Sequence, residues 1–165
     1  MIRKGKLYSR PKKIYESARI KEENVLLDKY GLKNKREIWK TIAKVDYFRR
    51  RAKALAKESP EEQQALFNKL KNLGLNTNSI TDVLALHTEN LFERRLPTVV
   101  AKRGLAKTPK HARQMVVHKR VSIDGKRNNT PSYIVRVSEE NQITVKKSER
   151  KPKIPVEEKQ EEVKE

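Results

Sequence analysis

The stretch from Arg95 to Tyr133, RLPTVVAKRGLAKTPKHARQMVVHKRVSIDGKRNNTPSY, constrains this chain more than any other part of it. Apolar residues recur in short groups, with lysines and arginines between them, in a pattern that reads as two short helices and a small β element. From Phe92 to Val137 there are twelve Lys and Arg against only Glu93 and Asp124. A folded module this short with that surplus of positive charge needs a polyanionic partner, and nucleic acid is the commonest one.

Local signals divide the module further. Leu91, Leu96, Val99 and Val100 fall on one side of a helix ending at Gly104, with Pro97 expected to kink or break it. Thr108-Pro109 opens a second helix, a capping residue followed by a proline that needs no amide partner. Ala112, Met115 and Val116 point inward there, while Lys110, Arg113 and Lys119 are expected to project. Val121 and Ile123 alternate with polar residues before a tight Asp124-Gly125 turn. Pro131 to Val137, with Ile134 and Val135, is expected to form the second strand.

Upstream, helical periodicity dominates. Ser17 is placed as the cap of a helix carrying Ile20, Leu27 and Tyr30 on one face, with Gly31 as its stop. Asn34 to Glu37 has capping-box spacing. Ile38, Ile42, Val45, Phe48, Ala52 and Leu55 follow as one apolar stripe. Ser59-Pro60-Glu61-Glu62 starts another helix, with Leu66, Leu70 and Leu73 before Gly74. Ser79 to Leu86 is a further short helical candidate. Arg49, Arg50 and Arg51 are consecutive, so at least two of them must point away from the stripe.

Four segments result. Residues 1–16 form a basic extended arm containing Arg3, Lys4, Lys6, Arg10, Lys12 and Lys13. Residues 17–87 form a helical lobe, 88–150 the basic module, and 151–165 a charged, apolar-poor tail expected to be disordered. With 37% charged and only 5% aromatic residues in 165, two small lobes are expected rather than one generous core. The formal charge of +19 opposes compactness unless a partner neutralises it.

Several function classes lose support. No cysteine is present, which removes disulfides, thiolate zinc sites and cysteine nucleophiles and fits a cytosolic protein. No window approaches the ~18 apolar residues of a membrane span, and the basic N-terminus has no apolar segment after it, so it is not read as a secretory signal. His87, His111 and His118 have no carboxylate or thiol at catalytic or ligand spacing, so neither a metal nor a cofactor is expected. Five glycines leave no phosphate-cradling loop. Few aromatics stand off the apolar stripes, which argues against base stacking and for recognition by backbone and shape, as expected for folded RNA. Charge alone leaves DNA open, but no recognition helix with Asn or Gln at base-reading positions stands out.

The residues Arg95-Leu96, Val99-Val100, Arg103-Gly104, Thr108, Ala112-Arg113-Gln114, Gly125-Lys126 and Pro131-Ser132-Tyr133 together closely resemble the RNA-binding module of the ribosomal protein S-four family. KYGLKNKREIWK (Lys29 to Lys40) and ENLFERRL (Glu89 to Leu96) resemble its archaeal and eukaryotic branch. The resemblance covers nearly all of the chain except the tail. It implies an α+β, mostly α protein: an N-terminal helical lobe and a small helix-helix-β module. It also implies a structural constituent of the small ribosomal subunit in the cytoplasm that binds small-subunit rRNA directly. Such a protein acts early in assembly and influences decoding accuracy, lies near mRNA at its entrance, and contacts neighbouring small-subunit ribosomal proteins. No homo-oligomer is expected.

Candidate RNA-binding residues on this reading are Arg95, Lys102, Arg103, Lys107, Lys110, Arg113, Lys119, Arg120, Lys126 and Arg127 in the module. Arg49, Arg50, Arg51, Lys33, Lys35 and Arg36 are added from the helical lobe, and Arg10, Lys12 and Lys13 from the arm. Three positions depart from the family pattern. The missing cysteines rule out the arm's zinc site and leave the arm to be ordered by RNA. Pro97 stands where an Asp is frequent, and Lys119 where a Gly is frequent after the second helix.

The same module is also appended to enzymes such as pseudouridine synthases, RNA methyltransferases and a tRNA synthetase. Residues 17–87 are too short and too helical for such a catalytic domain, so an enzyme is not expected. The alternative is a free-standing RNA- or ribosome-binding factor of heat-shock or rescue type, and the match at Lys29–Lys40 weighs against it.

Overall fold

The computed structural model describes residues 5, 6 and 8–146. Arg3 and Lys4 of the arm, residues 147–150 and the charged tail 151–165 lie outside the described residues. The elements are α1 (Ser17–Tyr30), α2 (Lys35–Leu55), α3 (Pro60–Asn72), α4 (Ile80–Leu84), α5 (Thr88–Glu93), α6 (Leu96–Lys102), α7 (Pro109–Val117), β1 (Val121–Ile123), β2 (Lys126–Arg127), α8 (Val137–Glu140) and β3 (Ile143–Val145). The expected class, α+β and mostly α, is the observed one.

Helix α1 ends where Gly31 takes a left-handed φ of 60° and the Leu32 amide returns to the Leu27 carbonyl at 2.9 Å, a closure that favours glycine. Its cap position is Glu16, so Ser17 is the first helical residue and does not cap. Along α2, Ile38, Val45, Phe48, Ala52 and Leu55 are buried. Ile42 belongs to the same stripe but stays 41% exposed. No capping box forms at Asn34, because the Glu37 carboxylate is committed elsewhere. A capping box does form at α4: Ser79 Oγ accepts from the Asp82 amide at 3.2 Å, and Asp82 Oδ2 accepts from the Ser79 amide at 3.0 Å.

One core of the helical lobe gathers Val45, Phe48, Ala52 and Leu55 of α2, Leu66 and Leu70 of α3, and Leu75, Val83, Leu86 and Leu91. A smaller one stacks Tyr30 on Phe92 at 5.2 Å between ring centres, with Ile38 beside them. Burying a Leu or Phe this fully is worth about 1.5–3 kcal/mol each. Leu91 and Phe92 put α5 in these cores, so α5 packs with the first lobe although the sequence pattern grouped it with the second.

The module has its own core, built from Leu96, Val99 and Val100 of α6, Ala112, Met115 and Val116 of α7, and Val121, Ile123, Val135 and Ile143. The break expected near Pro97 falls at Arg94-Arg95, and Pro97 sits in the first turn of α6, where its missing amide costs no hydrogen bond. Thr108 Oγ1 accepts from the His111 amide at 3.1 Å and starts α7. The sheet order is β2-β1-β3, all antiparallel. Asp124 (φ 50°) and Gly125 (φ 72°) make the two-residue β1–β2 turn, both left-handed as a type I′ turn requires.

Pro131 to Val137 is not a strand, contrary to expectation. Its backbone instead grips the α5–α6 junction: the Val135 amide donates to the Arg94 carbonyl and the Leu96 amide to the Tyr133 carbonyl, each at 2.9 Å. The third strand is Ile143–Val145, pairing Val121↔Val145 and Ile123↔Ile143.

Candidate nucleic-acid interface

The two lobes meet across a seam centred on Glu37, in the first turn of α2. Its carboxylate accepts from Arg113 Nη2 at 2.7 Å and Nη1 at 3.0 Å, and from Arg95 Nη1 at 3.0 Å. Burial pushes the Glu37 carboxyl up. The hydrogen bonds and charge of Arg113, then those of Arg95, outweigh it and hold the group below its ordinary value. Arg95 is only 7% exposed, and its guanidinium also lies 5.5 Å from the centre of the Phe92 ring. Arg95 and Arg113 therefore do not project as the sequence pattern predicts. A half-buried carboxylate attracts both, since a charge removed from water needs paired donors. The Lys110–Asp28 pair at 3.0 Å adds an exposed link across the same seam.

Outside the seam the module presents its cations. Lys107, Lys119, Arg120, Lys126 and Arg127 are exposed, and none pairs with a carboxylate among the described residues. Arg103 is half-buried and donates to Asn141 Oδ1 at 2.9 Å, while Lys102 meets Glu93 at 2.9 Å. Lys119 occupies the left-handed position after α7, with φ 57°, and the Arg120 amide closes that turn onto the Met115 carbonyl at 3.0 Å. The fold thus keeps the backbone shape a glycine would favour while adding a charge.

On the helical lobe the three consecutive arginines separate. Arg49 donates to the Leu86 carbonyl at 2.7 Å and holds the α4–α5 loop, whereas Arg50 and Arg51 are exposed. Lys35 lies 3.2 Å from Glu23; Lys33 and Arg36 are exposed. Glu23 is buried beneath them and accepts from Arg19 at 2.7 Å and from the Trp39 indole at 2.9 Å. Burial raises that carboxyl, but the bonds from Trp39, Arg19 and Lys35 hold it below its ordinary value. In the arm, Arg10, Lys12 and Lys13 are exposed. The arm is fastened to the lobe: Arg19 donates to the Lys13 and Ile14 carbonyls at 2.9 Å each, and Tyr8 lies 6.4 Å from the Trp39 ring.

Lys40 and Lys44, which the motif reading passed over, line a cavity of about 440 Å³ between α2 and the module, together with Arg36, Arg95 and Arg113. The signal that finds them is the interval of four that runs from Arg36 to Lys40 and on to Lys44. His87, His111 and His118 are all exposed. Among the described residues no three His, Cys, Asp or Glu side chains group as a metal site, and no helix is long and apolar enough to cross a membrane.

Comparison with known proteins meets this geometry at the module. The family model described as S4 domain matches residues 94–141, which begins at the α5–α6 junction and takes in most of the module core. The chain is 41% identical over 149 residues to the small ribosomal subunit protein uS4 of Methanococcus aeolicus, covering 86% of this chain and 84% of the relative. It is 44% identical over 144 residues to the protein of that name from Methanothermobacter thermautotrophicus, covering 84% of each. The relative so named from Ignicoccus hospitalis is also 44% identical over 144 residues, covering 84% of this chain and 87% of its own length.

Proposed function

The chain belongs to the uS4 family of small ribosomal subunit proteins, and on that premise we propose that it binds small-subunit rRNA directly and joins the subunit early in its assembly. It is a structural protein of the cytoplasmic ribosome and not an enzyme, as its family is. Its S4 domain is the RNA-binding part. We extend the RNA surface to both lobes. On the module it comprises Lys102, Arg103, Lys107, Lys110, Lys119, Arg120, Lys126 and Arg127. On the helical lobe it comprises Lys33, Lys35, Arg36, Arg50 and Arg51, with Arg10, Lys12 and Lys13 from the arm. Arg95 and Arg113 serve mainly to hold the two faces in register, and Arg49 fastens the α4–α5 loop within the helical lobe.

The observation that carries this reading is the set of exposed module cations, Lys107, Lys119, Arg120, Lys126 and Arg127, that lack carboxylate partners among the described residues. Unneutralised charge on a folded surface is costly alone and is relieved by phosphates. Contacts with neighbouring small-subunit proteins, a position near the mRNA entrance and an effect on decoding accuracy follow from the same placement as part of the proposal. The chain acts as one copy rather than a homo-oligomer. The test is stoichiometry: tagged chain should be recovered in small subunits at one copy each and stay through a moderate salt wash. Loss in the first wash, or recovery mainly off the subunit, would favour a free-standing ribosome-binding factor.

A further inference from the structure

The described surface carries a second basic feature that the S4 module does not explain. Arg36, Lys40 and Lys44 stand at intervals of four along α2, one above another on a single helix face. Four residues rise about 6 Å, close to the step between successive phosphates of one nucleic-acid strand. The three line the inter-lobe cavity of about 440 Å³, and Pro131, Ser132 and Ile134 form part of its facing wall. That volume is within the range of pockets that enclose small organic groups and is too small for a duplex.

Among the described residues the ridge has no acidic partner, and its one attractive electrostatic contact is the Lys40 ammonium 5.9 Å from the centre of the Tyr8 ring. None of its three cations pairs with a carboxylate among the described residues. The nearest acid on the cavity wall, Glu37, has both oxygens occupied by Arg95 and Arg113. Partial desolvation pushes the Lys44 ammonium down, and the charges of Lys69 and Arg95 push it the same way. Three cations and two arginines around one carboxylate leave the cleft strongly positive. A folded protein that holds such a charge in a concave site focuses field on any anion entering it.

We propose that this cleft takes a single strand of RNA, with Arg36, Lys40 and Lys44 meeting successive phosphates while the strand's edge lies against Pro131 and Ile134. The proposal rests on the reading that the chain binds small-subunit rRNA. It adds a contact site that belongs to neither lobe alone and exists only when the Glu37 seam is closed.

The experiment measures binding of the full chain to small-subunit rRNA across a salt series, with large-subunit rRNA as competitor. Three variants are compared with the parent: K40Q/K44Q, K40R/K44R, and K119Q/R120Q on the module face. Losing two single-strand phosphate contacts should flatten the log–log salt slope by about 1.4, roughly 0.7 for each. K40Q/K44Q should show that change and K40R/K44R should not. The thermal midpoint of free K40Q/K44Q should hold or rise, because like charges have been removed. If the parent prefers small-subunit rRNA and K40Q/K44Q keeps its full slope, the cleft is overturned and the rRNA reading stands. A fall in the free protein's midpoint would make the lysines structural and also overturn the cleft. No preference by the parent for small-subunit rRNA would overturn both.

Discussion

Glu37 and Arg113, on different lobes and far apart in sequence, form a two-pronged pair: Nη2 to Oε1 at 2.7 Å and Nη1 to Oε2 at 3.0 Å. The geometry matches a guanidinium fork to a carboxylate. It fixes the angle between two cationic faces, since Arg95 shares the same carboxylate from the start of α6. A rigid angle matters for shape recognition, because phosphates on folded RNA are met at set positions.

Replacing Glu37 with Gln keeps the size and removes the charge that two part-buried arginines need. Bonds to charged groups contribute about 1.5–3 kcal/mol, so Glu37→Gln should cost about 2 kcal/mol. The thermal midpoint of the free protein should fall by roughly 4–8 °C. Differential scanning calorimetry checks it; a midpoint within a degree of the parent would mean the lobes are held by apolar contact alone.

Stability should fall in acid. Glu37 and Glu23 both have carboxyls held below their ordinary value of 4.5 in the folded chain. A depressed folded value contributes stability that is present above the unfolded value and lost as pH falls through the folded one. Urea midpoints should therefore hold from pH 7 down to 4.5 and drop below it. In Glu37→Gln the drop should be shallower. An equal acid dependence in parent and variant would remove Glu37 from the cause.

Lys119 offers a test that separates stability from binding. Its φ of 57° is left-handed, which costs an L-residue with a side chain about 1 kcal/mol relative to glycine. Lys119→Gly should raise the free protein's stability by roughly 0.5–1 kcal/mol while weakening rRNA binding and flattening its salt dependence. Improved stability with unchanged binding would leave the residue outside the RNA surface.

Gly31 sits against α7: a Cβ there would lie 2.8 Å from the Lys110 backbone nitrogen and 2.9 Å from the Pro109 carbonyl carbon. Its φ is also left-handed, at 60°. Gly31→Ala should cost roughly 2 kcal/mol or more, strain and overpacking together. Chemical denaturation reads this directly, and a loss under about 0.5 kcal/mol would mean the seam at α1 and α7 yields easily.

The local signals were legible wherever one short segment decided the outcome. Thr108-Pro109 started α7, Asp124-Gly125 turned the hairpin, Gly31 stopped α1, and Arg50 and Arg51 faced outward. What failed needed a distant partner. Ile143–Val145 is three residues long and becomes a strand only by pairing with β1. Ile134 and Val135 have strand-like residues, but Arg94 and Leu96 take their backbone bonds. Glu37 has the spacing of a capping residue, and only the folded seam shows that Arg95 and Arg113 claim it. Composition identified the cationic character of the interface, but it could not tell arginines that bind a carboxylate across a seam from those left free for phosphate.

The most direct test of the central claim is binding of the purified chain to small-subunit rRNA, in competition with large-subunit rRNA and tRNA, from low to high salt. Tight binding that survives both competitors, with a log–log slope of about −4 to −5 for some six phosphates met, is the predicted result. Equal and steeply salt-sensitive binding to all three RNAs would contradict it, leaving a basic protein that recognises charge without shape.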